Sequence, residues 1–431
     1  MHAWPKLAVV VLAAGAVLSA ATPAAASDGP RVPLLARQVL AANDGWASAG
    51  TGTTGGSAAD SEHVFVVHTR DELATAVAGS TPKIVLVAGA IDANAGKTCA
   101  DYADPAYSLD AFLATYDPAV WGRVAPSGPL EEARVRSAAN QGARVKIPVG
   151  GNTTIYGLRG ATLEGGNLLL TNVTNVIIRN MTFVDAHDCF PSWDPNDGAT
   201  GNWNSLYDNV TLSGSTNVWI DHNTYTDGAN QDSLEPVYFG RPFQVHDGLN
   251  DIIRGSDFVT FSYNDLSGHD KSMLIGSTNT PGVDVGKLRV TLHHNRFADL
   301  GQRMPRVRFG QVDVYNNLYR ATDNDTFIYA LGVGVQSAIY AENNFVQRSD
   351  SVPVEDFVFN WGGTVMTEKG TLMQTGRGPI KPVNLLAAYN AAFDPDIAPD
   401  AGWTPTLRTR LDPTILVPIL VGLFAGAKLP A

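Results

Sequence analysis

Seven charged side chains carry the chemistry that this sequence can be read for. Asp208, Asp247 and Asp251 stand at or just before short aliphatic runs, and Lys271, Arg303, Arg306 and Arg308 hold comparable places in the runs that follow. Three carboxylates brought close together repel one another unless a cation neutralises them. A ligand set made of oxygen alone selects Ca²⁺ over a transition metal. The cations suit a polyanionic substrate: Arg clamps a carboxylate with two parallel hydrogen bonds, and Lys acts as a point charge. Solvated surface aspartates and a solvated basic stripe are the alternatives. Pro305, which stiffens the backbone of the arginine run, weighs against the second of these.

The elements that must position these groups are repeated short strands. Four runs end at glycine: Val210 to Gly214, Ile252 to Gly255, Met273 to Gly276 and Val307 to Gly310. Aligning those glycines gathers all seven charges in one zone of successive coils. Adjacent strands stack ~4.8 Å apart, with alternate residues on one face. On that alignment Asp208 falls between Asp247 and Asp251 with the same parity, one coil away.

A second pattern runs alongside the first. Beta-branched segments end at asparagine in Val218–Asn223, Val259–Asn264, Val290–Asn295, Val312–Asn317 and Ile339–Asn344, with an earlier relative at Asn175–Phe183 that includes Asn180. A unit of two or three short strands cannot bury its own apolar face, so the units must stack as a solenoid. With no helix between the strands, the fold class expected is an all-β parallel β-helix with long loops. The repeated asparagine is read as a structural ladder inside one corner. Short helices are expected at Asp71–Ala78 and Leu130–Ala139.

The chain has 431 residues, 30 Lys+Arg against 42 Asp+Glu, a net charge of -12 and 44% hydrophobic residues. That composition is globular, and its acidity disfavours a nucleic-acid partner, which needs a basic footprint. Lys6, the apolar run Leu7–Ala21 and Ala24–Ala26 before Ser27 read as a secretory signal peptide over residues 1–26. The run is too short to span a membrane, so a secreted, extracellular protein is expected. Residues 27–60 read as an N-terminal extension and 61–431 as one domain, expected to be monomeric. The apolar stretch Ile415–Ala427 is expected to pack into the core. In an exported protein Cys99 and Cys189 either form a disulfide or remain two buried thiols.

Taken together, Asn217–His222, Asp247-Gly248-Leu249-Asn250-Asp251, His269-Asp270-Lys271 and Arg303–Gly310 resemble the secreted bacterial pectate lyases of polysaccharide lyase family 1. Thr53–Gly56 and Tyr315–Tyr319 extend the resemblance over most of the chain from about residue 45. It implies a right-handed β-helix that cleaves de-esterified homogalacturonan (polygalacturonate) by Ca²⁺-dependent β-elimination. On the matching positions, Asp208, Asp247 and Asp251 would ligate Ca²⁺, Lys271, Arg306 and Arg308 would bind substrate, and Arg303 would be the base. Asp221 and His222 would be structural, and Leu206 stands where some members carry a further acidic ligand. Cationic neighbours and Ca²⁺ are expected to lower the Arg303 pKa. Three rival readings differ in chemistry: a pectin lyase acting on esterified polymer, a hydrolase using paired carboxyl groups, and a β-helix that only binds wall polysaccharide.

Overall fold

Parallel strand pairing dominates the chain. The computed structural model describes residues 32–322 and 326–430, so the expected signal peptide lies outside the described residues. Two ten-stranded sheets and one eight-stranded sheet run the length of the molecule, each taking one strand from nearly every coil. The pairs within them are parallel except for the last, Leu372–Thr375 against Lys381–Pro382. The chain is therefore a parallel β-helix, as the repeats predict.

Like side chains stack because equivalent positions pair directly. In the first sheet Ile178, Ile220, Phe261, Leu292, Val314 and Ala341 lie in register through successive coils. All are fully buried in one continuous apolar core. Aromatic pairs do the same work in the third wall of the helix, where Phe183 stacks on Tyr225 and Phe297 on Tyr319, with centroids 4.9 and 5.2 Å apart. Each such pair adds about 0.5–1.5 kcal/mol beyond its area burial.

The asparagine corner is a ladder, as expected. Asn223 Nδ2 donates to Asn264 Oδ1 at 3.0 Å, Asn264 to Asn295 at 3.2 Å, Asn295 to Asn317 at 2.9 Å and Asn317 to Asn344 at 3.2 Å. The residue before each rung, from His222 (φ 53°) through Tyr263, His294 and Asn316 to Asn343 (φ 51°), is left-handed. Asn180 is not a rung. It is itself left-handed, at φ 59°, and occupies the place of His222 one coil earlier.

All three glycine alignments need correction. The ladder pairs Thr211 with Asp251, so Gly214 lies beside Arg254 and not Gly255. The middle alignment fails because Ile252 pairs with Ile275, which sets Gly276 opposite Ile253 and not Gly255. Further along, Ile275 pairs with Val307, which sets Gly276 against Arg308 and not Gly310. The glycines end the runs at different coil positions, because each relieves a different close approach. Helices occur at Arg70–Ala76, closed by a Thr69/Glu72 capping box, and at Pro129–Val145, longer than expected.

The termini fold back along the first sheet. Trp46 N donates to Thr291 Oγ1 at 3.0 Å, Ala47 N to Thr260 Oγ1 at 3.1 Å, and Gly45 N to the Leu407 carbonyl at 3.0 Å. Cys99 and Cys189 form a disulfide across 90 residues. Only one face of the C-terminal apolar stretch packs as expected. In the helix Val417–Phe424, Val417 and Val421 bury against Leu318 and Phe345, while Ile419, Leu423 and Phe424 are exposed. No helix among the described residues is long and apolar enough to cross a membrane.

Candidate active site

Asp208 and Asp251 converge on Gly248, though not through the parity that the sequence suggests, whereas Asp247 does not close with them into one cluster of ligand atoms within 4.8 Å. Asp208 precedes the strand Val210–Ser213 and lies opposite Gly248, in the turn before the strand Asn250–Ile253. Strand alternation does not apply in that turn, so the backbone and not the pleat aims the carboxylates. Gly248 N donates to Asp208 Oδ1 at 2.8 Å, and Thr211 Oγ1 donates to Asp208 Oδ2 at 2.5 Å. Asp251 Oδ1 accepts from Leu274 N at 2.9 Å. A side chain at Gly248 would strike both acids, with its Cβ 2.5 Å from Asp251 Oδ1 and 2.8 Å from Asp208 Oδ1.

Asp208 and Asp251 are buried, at 6% and 5% exposure, and neither has a cationic partner among the described residues. Burial, then the Asp247 charge, pushes Asp208 up to about 7. Burial followed by the Asp208 and Asp247 charges raises Asp251 well above the carboxylate range. Two desolvated acids with converging oxygens form a donor set suited to a hard divalent cation. Asp247 is the most open of the three and turns towards Lys271, whose Nζ lies 3.6 Å from its Oδ1.

Lys271 ends the strand Asp265–Lys271 and bridges to Gly248, which brings the first cation beside the acids. Its Nζ also donates to Gln244 Oε1 at 3.4 Å. Arg303 stands at φ 63°, a left-handed corner that turns it out of the strand direction. The buried Nε atoms of Arg303 and Arg306 have no hydrogen-bond partner among the described residues. Arg306 lies over the Trp361 ring at 3.9 Å, and burial, then Arg308, lowers it to about 10. Arg308 is held by Asn279 Oδ1 and the Gly276 carbonyl, both at 2.7 Å. None of the three guanidiniums is ion-paired among the described residues.

The neighbouring guanidiniums do not bring Arg303 down as expected. Burial pushes it down, but Asp247 and Asp251 more than offset this, so the net shift is upward. The acids that keep Arg303 protonated are the same ones that a bound cation would engage. Leu206 is 52% exposed and supplies only a backbone N–H, to Asp188 Oδ2 at 3.0 Å. Asp221 is a buried structural acid: burial alone would raise it, yet His222 and Arg179 bring it down to about 2.

Sequence reasoning missed the layer behind the site. His269 Nδ1 lies 2.8 Å from Asp227 Oδ2, and its Nε2 lies 2.9 Å from the Asp247 carbonyl and 3.1 Å from that of Lys271. One ring thus fixes the backbone of both an acid and a cation. The signal was present in His246-Asp247 and His269-Asp270-Lys271, where a histidine twice precedes a site residue.

The family profile described as pectate lyase matches residues 9–115 and 125–375. A pectate lyase of Bacillus subtilis (strain 168) is 43% identical over 429 residues, covering 97% of this chain and 98% of that protein. The chain belongs to the pectate lyase family. Solved pectate lyases share its shape as well as its sequence. A thermostable pectate lyase superposes with TM-score 0.89 at 44% identity, covering 91% of this chain and 99% of the other. A pectate lyase bound to a hexasaccharide gives TM-score 0.86 at 44% identity, covering 92% and 99%.

Proposed function

We propose that this enzyme cleaves de-esterified homogalacturonan by Ca²⁺-dependent β-elimination. One observation carries the reading: among the described residues, two buried acids outside any ion pair stand beside three guanidiniums outside any ion pair. An anionic polymer and a divalent cation complete both halves.

Asp208, Asp247 and Asp251 are the residues that would hold Ca²⁺. When bound, Ca²⁺ supplies positive charge at the uronate carboxylate and lowers the cost of carbanion character at C5. Lys271 and Arg308 bind the substrate carboxylates, Lys271 beside Asp247 and Arg308 anchored on Asn279 and Gly276. Both stabilise charge as it develops. Arg306, braced by Trp361, extends the cationic row.

Arg303 takes the C5 proton in its deprotonated form. The C5–H electron pair becomes the C4–C5 double bond, the C4–O bond breaks, and solvent protonates the departing oxygen. Arginine is an unusual base because its pKa lies above 12. An alkaline optimum is therefore expected.

Polygalacturonate incubated with the enzyme and Ca²⁺ gives a rising ultraviolet absorbance from the unsaturated uronide. Activity that survives EDTA on esterified pectin supports a pectin lyase instead. Reducing ends without absorbance support hydrolysis, and binding without product supports a binding protein. Export is inferred from the leader at residues 1–26. Recovery from culture medium of a chain beginning at Ser27 tests it.

A further inference from the structure

Immediately before Asp247 the chain places a histidine among acids that the elimination does not use. His246 is 1% exposed, with Nε2 2.8 Å from Asp185 Oδ1 and Nδ1 2.9 Å from Asp232 Oδ1. His187 joins them, its Nδ1 3.9 Å from the same Asp185 oxygen and its ring set at 85° to that of His246. One ligand atom from each of Asp185, His187 and His246 lies within 4.8 Å of the others.

We propose that Asp185, His187 and His246 form a second metal site, for a divalent transition ion of the Zn²⁺ class. The donor set is two imidazoles and one carboxylate, which favours Zn²⁺ and its neighbours over oxygen-seeking Ca²⁺. Its outer contacts are those that orient metal ligands. His246 keeps Nδ1 on Asp232, the carboxylate–histidine–metal arrangement, and Asp185 Oδ2 accepts from Asn230 Nδ2 at 2.6 Å. The ion replaces the Nε2 proton of His246, which passes to solvent.

The backbone at His187 is already fixed. Its N–H donates to the Asp185 carbonyl and its own carbonyl accepts from Gln141 Nε2, both at 2.7 Å. The ring itself makes no hydrogen bond among the described residues, and its side chain is 30% exposed, which leaves an entry path. Cys99 and Cys189 are also within ligand distance of His187, but their sulfurs are joined to each other and offer no thiolate. Asp188 N donates to the Val245 carbonyl at 2.7 Å, so an ion here cross-links the 185–188 turn to the segment that carries Asp247.

Calorimetric titration of the full oxidised protein with Zn²⁺, in excess Ca²⁺ and without reductant, tests the site. We expect one Zn²⁺ per chain, a Tm that rises with Zn²⁺, and visible absorption bands for the Co²⁺ form. His187→Ala should keep its circular dichroism spectrum and lyase activity yet lose at least about tenfold in Zn²⁺ affinity. Unsaturable binding, unchanged affinity in His187→Ala, or uptake seen only after disulfide reduction would each overturn the proposal.

Discussion

Gly248 donates its backbone N–H to Asp208 and leaves no room for a Cβ between that carboxylate and Asp251. The glycine brings the two acids together without separating them by a side chain of its own. Gly248→Ala would force both oxygens apart, since the added carbon falls 2.5 and 2.8 Å from them. The expected result is at least about tenfold weaker Ca²⁺ activation. Little change in Tm is expected without Ca²⁺. Calcium titration of activity, alongside thermal melts, checks both parts.

Arg303→Ala should retain oligogalacturonate binding and lose turnover. A positioned base contributes typically 10²- to 10⁴-fold, so kcat should fall by about that factor with KM nearly unchanged. Lys271→Met should raise KM as well as lower kcat, because its Nζ, held between Asp247 and Gln244, is placed to meet a substrate carboxylate and the charge that develops on it. Equal losses of binding and rate in Arg303→Ala would make that arginine a clamp.

The acid pair also fixes how stability depends on pH. The folded pKa of Asp208 lies at about 7 against an ordinary 3.8, and Asp251 is displaced the same way. Between those limits the folded state holds more protons than the unfolded one, so stability falls as pH rises. Metal-free protein should lose Tm between about pH 4 and 7, and Asp208→Asn should flatten that slope. Added Ca²⁺ should raise Tm more at pH 8 than at pH 5. Melting curves at the two pH values, with and without EDTA, decide it.

Asn295 sits mid-ladder and bonds on both sides. Its Oδ1 accepts from Asn264 N and Nδ2, while its Nδ2 donates to the Phe261 carbonyl and Asn317 Oδ1. Asn295→Ala would strand several buried polar groups, each costing ~1–3 kcal/mol. A loss of roughly 3 kcal/mol or more is expected. Denaturant unfolding measures it.

What could be read in advance depended on whether a feature recurred. The asparagine rungs were legible because each coil spends the same residue type on the same corner. The glycines misled by one or two positions because each answers a different close approach, Gly214 to Asn172, Gly255 to Val283, Gly276 to Arg308 and Gly310 to Leu288. Run length alone does not reveal that difference. The charged residues were identifiable by type, but the aim of Asp208 was not, since it depends on the turn at Asp247–Gly248. The histidine layer was hidden for a different reason. His246 and His269 find their acids at Asp185, Asp227 and Asp232, in separate segments that meet only when coils stack.

The strap at residues 45–47 rests on partners that are made late. Its bonds run to Thr260, Thr291 and the Leu407 carbonyl, and Asn180 similarly holds the Leu429 carbonyl at 3.2 Å. The opening stretch therefore docks in stages: Thr54 and Gly55 seat on Asn175 and Leu35 on Arg179 early in synthesis, while residues 45–47 wait for coils made much later. A nascent chain stalled short of residue 260 must carry residues 45–47 without either threonine partner, a short unseated strap open to proteases.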